Sequence, residues 1–267
     1  MITKTLAIFT RTPLHVGAGS SVGAVDQPII RERHTRFPVI PGSSVKGVLR
    51  SAFSNEEDFD VDATFGLQES SGEVSFGEAK LLAFPVRSAK GSFAFLVSPV
   101  TLQRFSRDAG IELPVPTIEK TKCMAGPDVI FPEKNAVILE EYRFECIGEF
   151  PSEWANKLSS LLDDAVLKGG KTRFVLISDE DMSFYASNAC QISQHVRIDP
   201  ETGTASEGGL FNEETVPSET LFYAPIMGIR GDGNSLKAVA THFESEKLVQ
   251  FGGSGTTGLG FCTVKTI

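Results

Sequence analysis

The sequence predicts an α+β fold in which strands and helices mix without the regular alternation of a doubly wound sheet. Three observations carry that prediction. Several short runs alternate apolar and polar residues at the period of a strand. A few segments repeat apolar residues at helical spacing between recognisable caps. The intervals between them are too uneven for repeated βαβ units, and no short-period repeat or dividing linker interrupts the 267 residues, so they are expected to form one domain.

The elements follow in order. Residues 4–10 place Leu6 and Ile8 on one face of a strand, and a glycine-rich loop, Gly17 to Gly23, comes next. After Pro41, Ser43 or Ser44 is positioned to cap a helix carrying Val45, Val48, Leu49, Ala52 and Phe53. Residues 74–84 and 92–97 read as strands. Ser98-Pro99 opens a helix that Gly110 closes. Residues 111–135, with four prolines and little periodicity, read as loop, and 136–147 as one long strand. The clearest helical period runs over 152–168, through Trp154, Leu158, Leu161, Leu162 and Ala165. A strand at 173–177 and a capped helix at 178–189 follow. Residues 191–199 are extended and end in Asp-Pro-Glu-Thr-Gly, a turn signal that predicts a hairpin projecting over about 191–217. A strand at 220–229, a helix at 234–246 capped by Asn234, and strands at 247–251 and 261–265 flank a second glycine loop, GGSGTTGLG at 252–260.

Hydrophobic residues make up 41% of the chain, enough for a core, yet no run approaches the eighteen apolar residues of a membrane span. The first residues read as a strand and not as a signal peptide. Cys123, Cys146, Cys190 and Cys262 lack metal-site spacing and suit a reducing, cytoplasmic setting. The net charge of −9 argues against indiscriminate nucleic-acid binding. Charge is nevertheless segregated. Arg31, Arg33, Arg36, Lys46 and Arg50 crowd one stretch, whereas every charged residue from Glu201 to Glu219 is acidic.

Residues 15–50 therefore hold the most chemistry. The helix after Pro41 offers free N–H groups and the positive end of its dipole, with Lys46 and Arg50 on one face, which suits a phosphate; an ordinary capped helix with two solvated cations would look the same. Neither glycine loop is a Walker or Rossmann motif. Gly252, Gly253, Gly255, Thr256 and Gly258 can admit a single-stranded backbone closely, or form a tight turn at a sheet edge. Asp26, lying near Arg31 and Arg33, can ligate a hard cation or help deprotonate a ribose 2′-OH, or can merely cap a turn. His15 can transfer a proton or simply end the first strand. His34, His195 and His242 lack metal-ligand spacing and read as structural. Glu213 and Glu214 are a second acidic contribution or part of an acidic surface.

These residues resemble the RAMP superfamily, in particular the fourth-subunit family of the type III-B CRISPR (Cmr) complexes. The resemblance rests on LHVGAGSSVGAVDQPIIRERHTRFPVIPGSSVKGVLR, LLAFPVRSAKGSFAFLVSPVTLQRF, DPETGTASEGGLFNEE and FGGSGTTGLG. It implies a ferredoxin-like (RRM-like) palm with insertions and a β-hairpin thumb. Copies stack head to tail along a guide RNA with other Cmr subunits, and each thumb displaces a base to space the cuts in a single-stranded target RNA. It further implies an endoribonuclease needing a divalent cation (Mg2+ or Mn2+), with Asp26 as the key acid and metal ligand, His15 from the L-H-V-G motif, and Glu213 or Glu214. The guide backbone would lie on Ser43, Ser44, Lys46 and Arg50 and on the terminal glycine loop. The alternatives are a non-catalytic scaffold, which has no need of Asp26, and a metal-independent guide-processing ribonuclease using His15 as base.

Overall fold

The computed structural model describes residues 2–19, 23–54, 56 and 59–267, so the middle of the first glycine loop lies outside the described residues. In chain order the elements are β1 (Thr3–Thr10), β2 (Val39–Ile40), α1 (Gly42–Ala52), α2 (Val61–Phe65), β3 (Val74–Phe76), β4 (Ala79–Arg87), β5 (Phe93–Val97) and α3 (Pro99–Ala109). There follow β6 (Lys122–Ala125), β7 (Ala136–Leu139), β8 (Tyr142–Glu149), α4 (Ser152–Ser159), α5 (Ala165–Gly169), β9 (Phe174–Leu176) and α6 (Asp179–Asn188). The chain continues with β10 (Gln191–Ile198), β11 (Ala205–Thr215), β12 (Leu221–Gly228), α7 (Asn234–His242), β13 (Lys247–Gln250) and β14 (Phe261–Thr266).

The expected palm is present. Strands β14, β1, β12 and β4 lie side by side in that order, all antiparallel. With α1 between β1 and β4 and α7 between β12 and β14, this is a ferredoxin-like βαββαβ unit. Its second and third strands are joined by a long excursion instead of a hairpin. Part of that excursion extends the sheet beyond β4 through β5, β9, β6, β8 and β7, with parallel pairs only at β5–β9 and β6–β8.

Both faces of the central sheet are buried, and β1 records it residue by residue. Leu6 and Ile8 pack with Val45 and Leu49 of α1 and Leu236 and Val239 of α7. Ala7 and Phe9 pack on the other side with Leu102 and Phe105 of α3 and Trp154 and Leu158 of α4. The sheet face that an RRM leaves open for stacked bases is thus covered by helices.

Several boundaries differ from the sequence reading. α1 begins at Gly42 with Pro41 as N-cap and no side-chain cap, so Ser43 and Ser44 occupy its first turn. Residues 152–168 form two helices, because Asp164 accepts from the amides of Val166 and Leu167 and starts α5 anew. Residues 136–147 fold back as the β7–β8 hairpin at Glu140, which adopts φ 50°. Strand β6 lies inside the stretch read as loop. Residues 74–84 break at Gly77, where a Cβ would stand 2.9 Å from the Pro225 carbonyl oxygen. Gly233, not Asn234, caps α7, which ends at His242. The α3 signals hold: Ser98 is the N-cap, its amide donating to Thr101 Oγ1 at 3.1 Å, and Gly110 takes the left-handed conformation at φ 65°.

Candidate active site

Three remote segments meet where β1 ends. After Leu14 pairs with Val216 beyond β11, the chain carries His15 inward. The glycine loop after β13 closes from one side, with the Gly253 amide donating to the His15 carbonyl at 2.9 Å. Gly252 is required there, since its φ is +75° and a Cβ would stand 2.1 Å from the His15 carbonyl oxygen. The base of the β10–β11 hairpin closes from the other side.

His15 is buried, and its Nδ1 lies 2.7 Å from the Glu214 carbonyl oxygen. A carbonyl only accepts, so Nδ1 carries the proton and Nε2 of the neutral ring is left as an acceptor. Nε2 lies under Gly17, where a Cβ would come within 3.0 Å of it; glycine keeps that nitrogen uncrowded. Glu213 is 4% exposed in its side chain, with Oε1 accepting from Ser254 Oγ at 3.1 Å and lying 3.9 Å from His15 Nδ1. Its Oε2 lies 3.3 Å from His195 Nε2.

The neighbouring Glu214 does different work. Its Oε1 accepts from Arg31 at 2.6 Å and its Oε2 from the Ile29 amide at 3.0 Å. Arg31 also donates to the carbonyls of Ala186 and Arg36. Burial alone would lower the Arg31 pKa, but Cys190 and Glu214 outweigh it and the net direction is upward. Glu32, next in sequence, takes both oxygens to Arg104 of α3. The basic stretch is therefore partly internal: Arg31 is an anchor, whereas Arg33 and Arg36 are exposed. Of the two glutamates, Glu213 faces the histidines and Glu214 holds the loop. Both lie inside β11, which runs through Thr215.

Asp26 is exposed, and its Oδ2 accepts from the Asn212 amide at 2.8 Å. Gln27 and Glu213 pair as a bridge, with the Glu214 amide donating to the Gln27 carbonyl. The Asp26 loop is thus laced to the strand that presents Glu213, and Asp26 accepts from a backbone amide instead of from the nearby arginines. Among the described residues no three His, Cys, Asp or Glu side chains are grouped to hold a metal ion. One exposed carboxylate suits a hydrated Mg2+ that completes its shell with substrate phosphates, and does not suit a closed protein cage.

The α1 residues form a separate feature. Gly42, Ser43 and Lys46 line an open groove of about 480 Å³ with residues 67–72, 74–76 and Ile229. Neither His15, Asp26 nor Glu213 lines it. Lys46 is exposed, but Arg50 is paired with Asp62 Oδ1 at 2.6 Å and bonded to the Gly66 carbonyl. In the terminal loop Gly253, Thr256 and Gly258 are exposed, and Gln250 Nε2 fastens the loop by donating to three of its carbonyls. Ser254 joins this loop to the His15 cluster instead of to α1. Sequence reasoning missed His195, because only the hairpin register reveals that it faces Glu213.

A ferredoxin-like palm carrying a hairpin, with a glycine loop before its last strand, defines a RAMP-type protein. The sequence profile of the RAMP superfamily matches residues 8–263. The Cmr endoribonuclease Cmr4 of Pyrococcus furiosus is 35% identical over 97% of this chain and 94% of its own length. The CMR subunit Cmr4 of Saccharolobus solfataricus is 24% identical over 95% of this chain and 93% of its own. The crystal structure of oligomeric Cmr4 from Pyrococcus furiosus superposes with a TM-score of 0.78 at 31% identity, covering 100% of this chain and 98% of that one. The chain belongs to the RAMP superfamily and, within it, to the Cmr4 family. No helix among the described residues is long and apolar enough to cross a membrane.

Proposed function

We propose that this chain is a repeating backbone subunit of a type III-B CRISPR effector complex, binding guide RNA and cutting complementary target RNA endonucleolytically at regular intervals. The carrying observation is the convergence of His15, Glu213 and Ser254 from three remote segments beside the Asp26 loop. The relative at 35% identity is named an endoribonuclease, and the 31%-identical structure is described as oligomeric, which supports cleavage and self-stacking respectively. An isolated chain with charge −9 need be basic only where RNA lies, and its acidic surfaces can face solvent or basic neighbouring subunits.

In the cut, a 2′-oxygen of the target attacks the adjacent phosphorus, the new O–P bond forms to leave a 2′,3′-cyclic phosphate, and the bond to the 5′-oxygen of the next nucleotide breaks, with water supplying that oxygen's proton. His15 Nε2 takes the 2′-OH proton, its tautomer set by the Glu214 carbonyl. Glu213 then stabilises the resulting imidazolium across 3.9 Å. Asp26 is the residue to hold a divalent cation, which when bound neutralises charge on the phosphate. Ser43, Ser44 and Lys46 offer the guide backbone two hydroxyls, first-turn amides and a free ammonium. The glycine loop allows the strand to approach.

The test is target cleavage by a reconstituted complex carrying the wild-type or Asp26→Asn subunit, read for fragment spacing and EDTA sensitivity. Evenly spaced fragments that vanish with Asp26→Asn and with EDTA, while guide binding persists, are expected. Normal cutting by Asp26→Asn would remove Asp26 from the cutting site, and EDTA-resistant cutting would remove the cation.

A further inference from the structure

Resting on that reading, we infer that His195 is a positioning residue of the cleavage site, holding Glu213 from the hairpin side. His195 stands in β10, directly across from Phe211 of β11, and its ring stacks on that phenyl with centroids 5.2 Å apart and planes 19° from parallel. Two positions on, β11 presents Glu213 to the same face of the ribbon. The stack fixes the imidazole plane and brings Nε2 to 3.3 Å from Glu213 Oε2.

The two oxygens of Glu213 are thereby divided. Oε1 belongs to the palm, through Ser254 Oγ and His15. Oε2 belongs to the hairpin, through His195. The side chain of His195 is 42% exposed, yet its Nε2 is buried and lacks an aligned hydrogen bond. A buried, unsatisfied ring nitrogen is costly, and a fold that retains one beside a carboxylate at 3.3 Å has a bond that a slight hairpin movement completes. Target RNA seated against the hairpin supplies that movement. His195 then draws Oε2 toward the hairpin and fixes the rotation of the carboxylate that faces His15. The hairpin, on this account, sets the rate of cutting as well as its place.

The experiment uses the reconstituted guide-bound complex with wild-type, His195→Phe, His195→Gln and Asp26→Asn subunits. Single-turnover cleavage rate and target Kd are measured for each. Phe keeps the stack on Phe211 and removes the N–H; Gln restores an N–H donor. For His195→Phe the cleavage rate should fall about 10- to 100-fold, as when the orienting partner of an active group is lost, with Kd unchanged. His195→Gln should recover most of that loss. Wild-type cleavage by His195→Phe, equal losses for Phe and Gln, or a loss confined to Kd would each overturn the inference. The Asp26→Asn arm separates the two readings: normal cutting there with slow cutting by His195→Phe removes Asp26 and keeps His195. A wild-type complex that cuts no target removes both.

Discussion

Replacing Arg31 with methionine tests the division of labour between the adjacent glutamates. The Arg31 side chain is 7% exposed and that of Glu214 11%, with 2.6 Å between them. Methionine fills the space of the stem but leaves the Glu214 carboxylate buried with the Ile29 amide as its donor, strips the Arg36 carbonyl of the Arg31 bond, and leaves the Ala186 carbonyl with Cys190 Sγ as its side-chain donor. Breaking a buried pair from one side costs about 3–5 kcal/mol, because the surviving charge is stranded. At about 2–4 °C per kcal/mol for a chain of this size, Tm should fall by about 6–20 °C. Thermal unfolding of the chain followed by circular dichroism measures it. Adding Glu214→Leu to Arg31→Met removes the stranded charge and should recover most of the loss. Glu213→Gln is the contrast: it keeps the Ser254 contact and should move Tm by less than about 2 °C, while target cleavage drops about 10²- to 10⁴-fold. If Arg31→Met melts within about 2 °C of wild type, the pair is not the anchor described.

Three further outcomes follow from the geometry. Burial, and then Asp164, push the Glu219 carboxyl up to about 7 against the opposing pull of Arg11. Its folded pKa exceeds its unfolded one, so its contribution to stability is full at acid pH and is lost as pH rises from about 4.5 through 7. Glu219→Gln should therefore raise Tm at pH 8 and leave it nearly unchanged at pH 4; the reverse order would refute the assignment. Lys46→Ala should weaken guide binding for all sequences alike and reduce the slope of log affinity against log salt by about 0.7, the share of one single-strand phosphate contact. Arg50→Ala, by contrast, should act on stability through Asp62, and a full slope change from Arg50 alone would reverse their roles. Gly252→Ala forces a Cβ to 2.1 Å from the His15 carbonyl oxygen, so it should displace His15 and reduce cleavage with guide binding retained. Wild-type cutting by that variant would show the loop can shift freely.

Local chemistry made much of the fold readable. α3 was legible because Ser98 sits at the N-cap, Pro99 at the first turn and Gly110 at the left-handed C-cap. The hairpin was legible because Asp199 accepts from the amides of Glu201 and Thr202 and Gly203 takes φ 67°. The β7–β8 turn was not, since Glu140 reverses the chain at positive φ with no glycine or asparagine to announce it. The apolar period through Leu161 and Leu162 was real burial but not one helix, because Asp164 captures the amides that would have continued it. At the site, His15 and the glycine loops were visible as motifs. The separation of Glu213 from Glu214, the commitment of Arg50 to Asp62 and the part of His195 depend on contacts across up to about two hundred residues, and pattern within a window does not carry those.

The placement of β1 has a consequence for how the protein is made. Leu6 pairs with Ala224 on one side and with Thr266 on the other, so β1 waits for segments more than two hundred residues further along before both its edges are satisfied. Pairings of such long sequence separation form slowly and late. His15, Glu213 and Ser254 are drawn together by those same late pairings. A chain stopped before β14 lacks one neighbour of β1, and one stopped before Ser254 also lacks the loop that meets His15 and Glu213, so the proposed site assembles only after these distant pairings have formed.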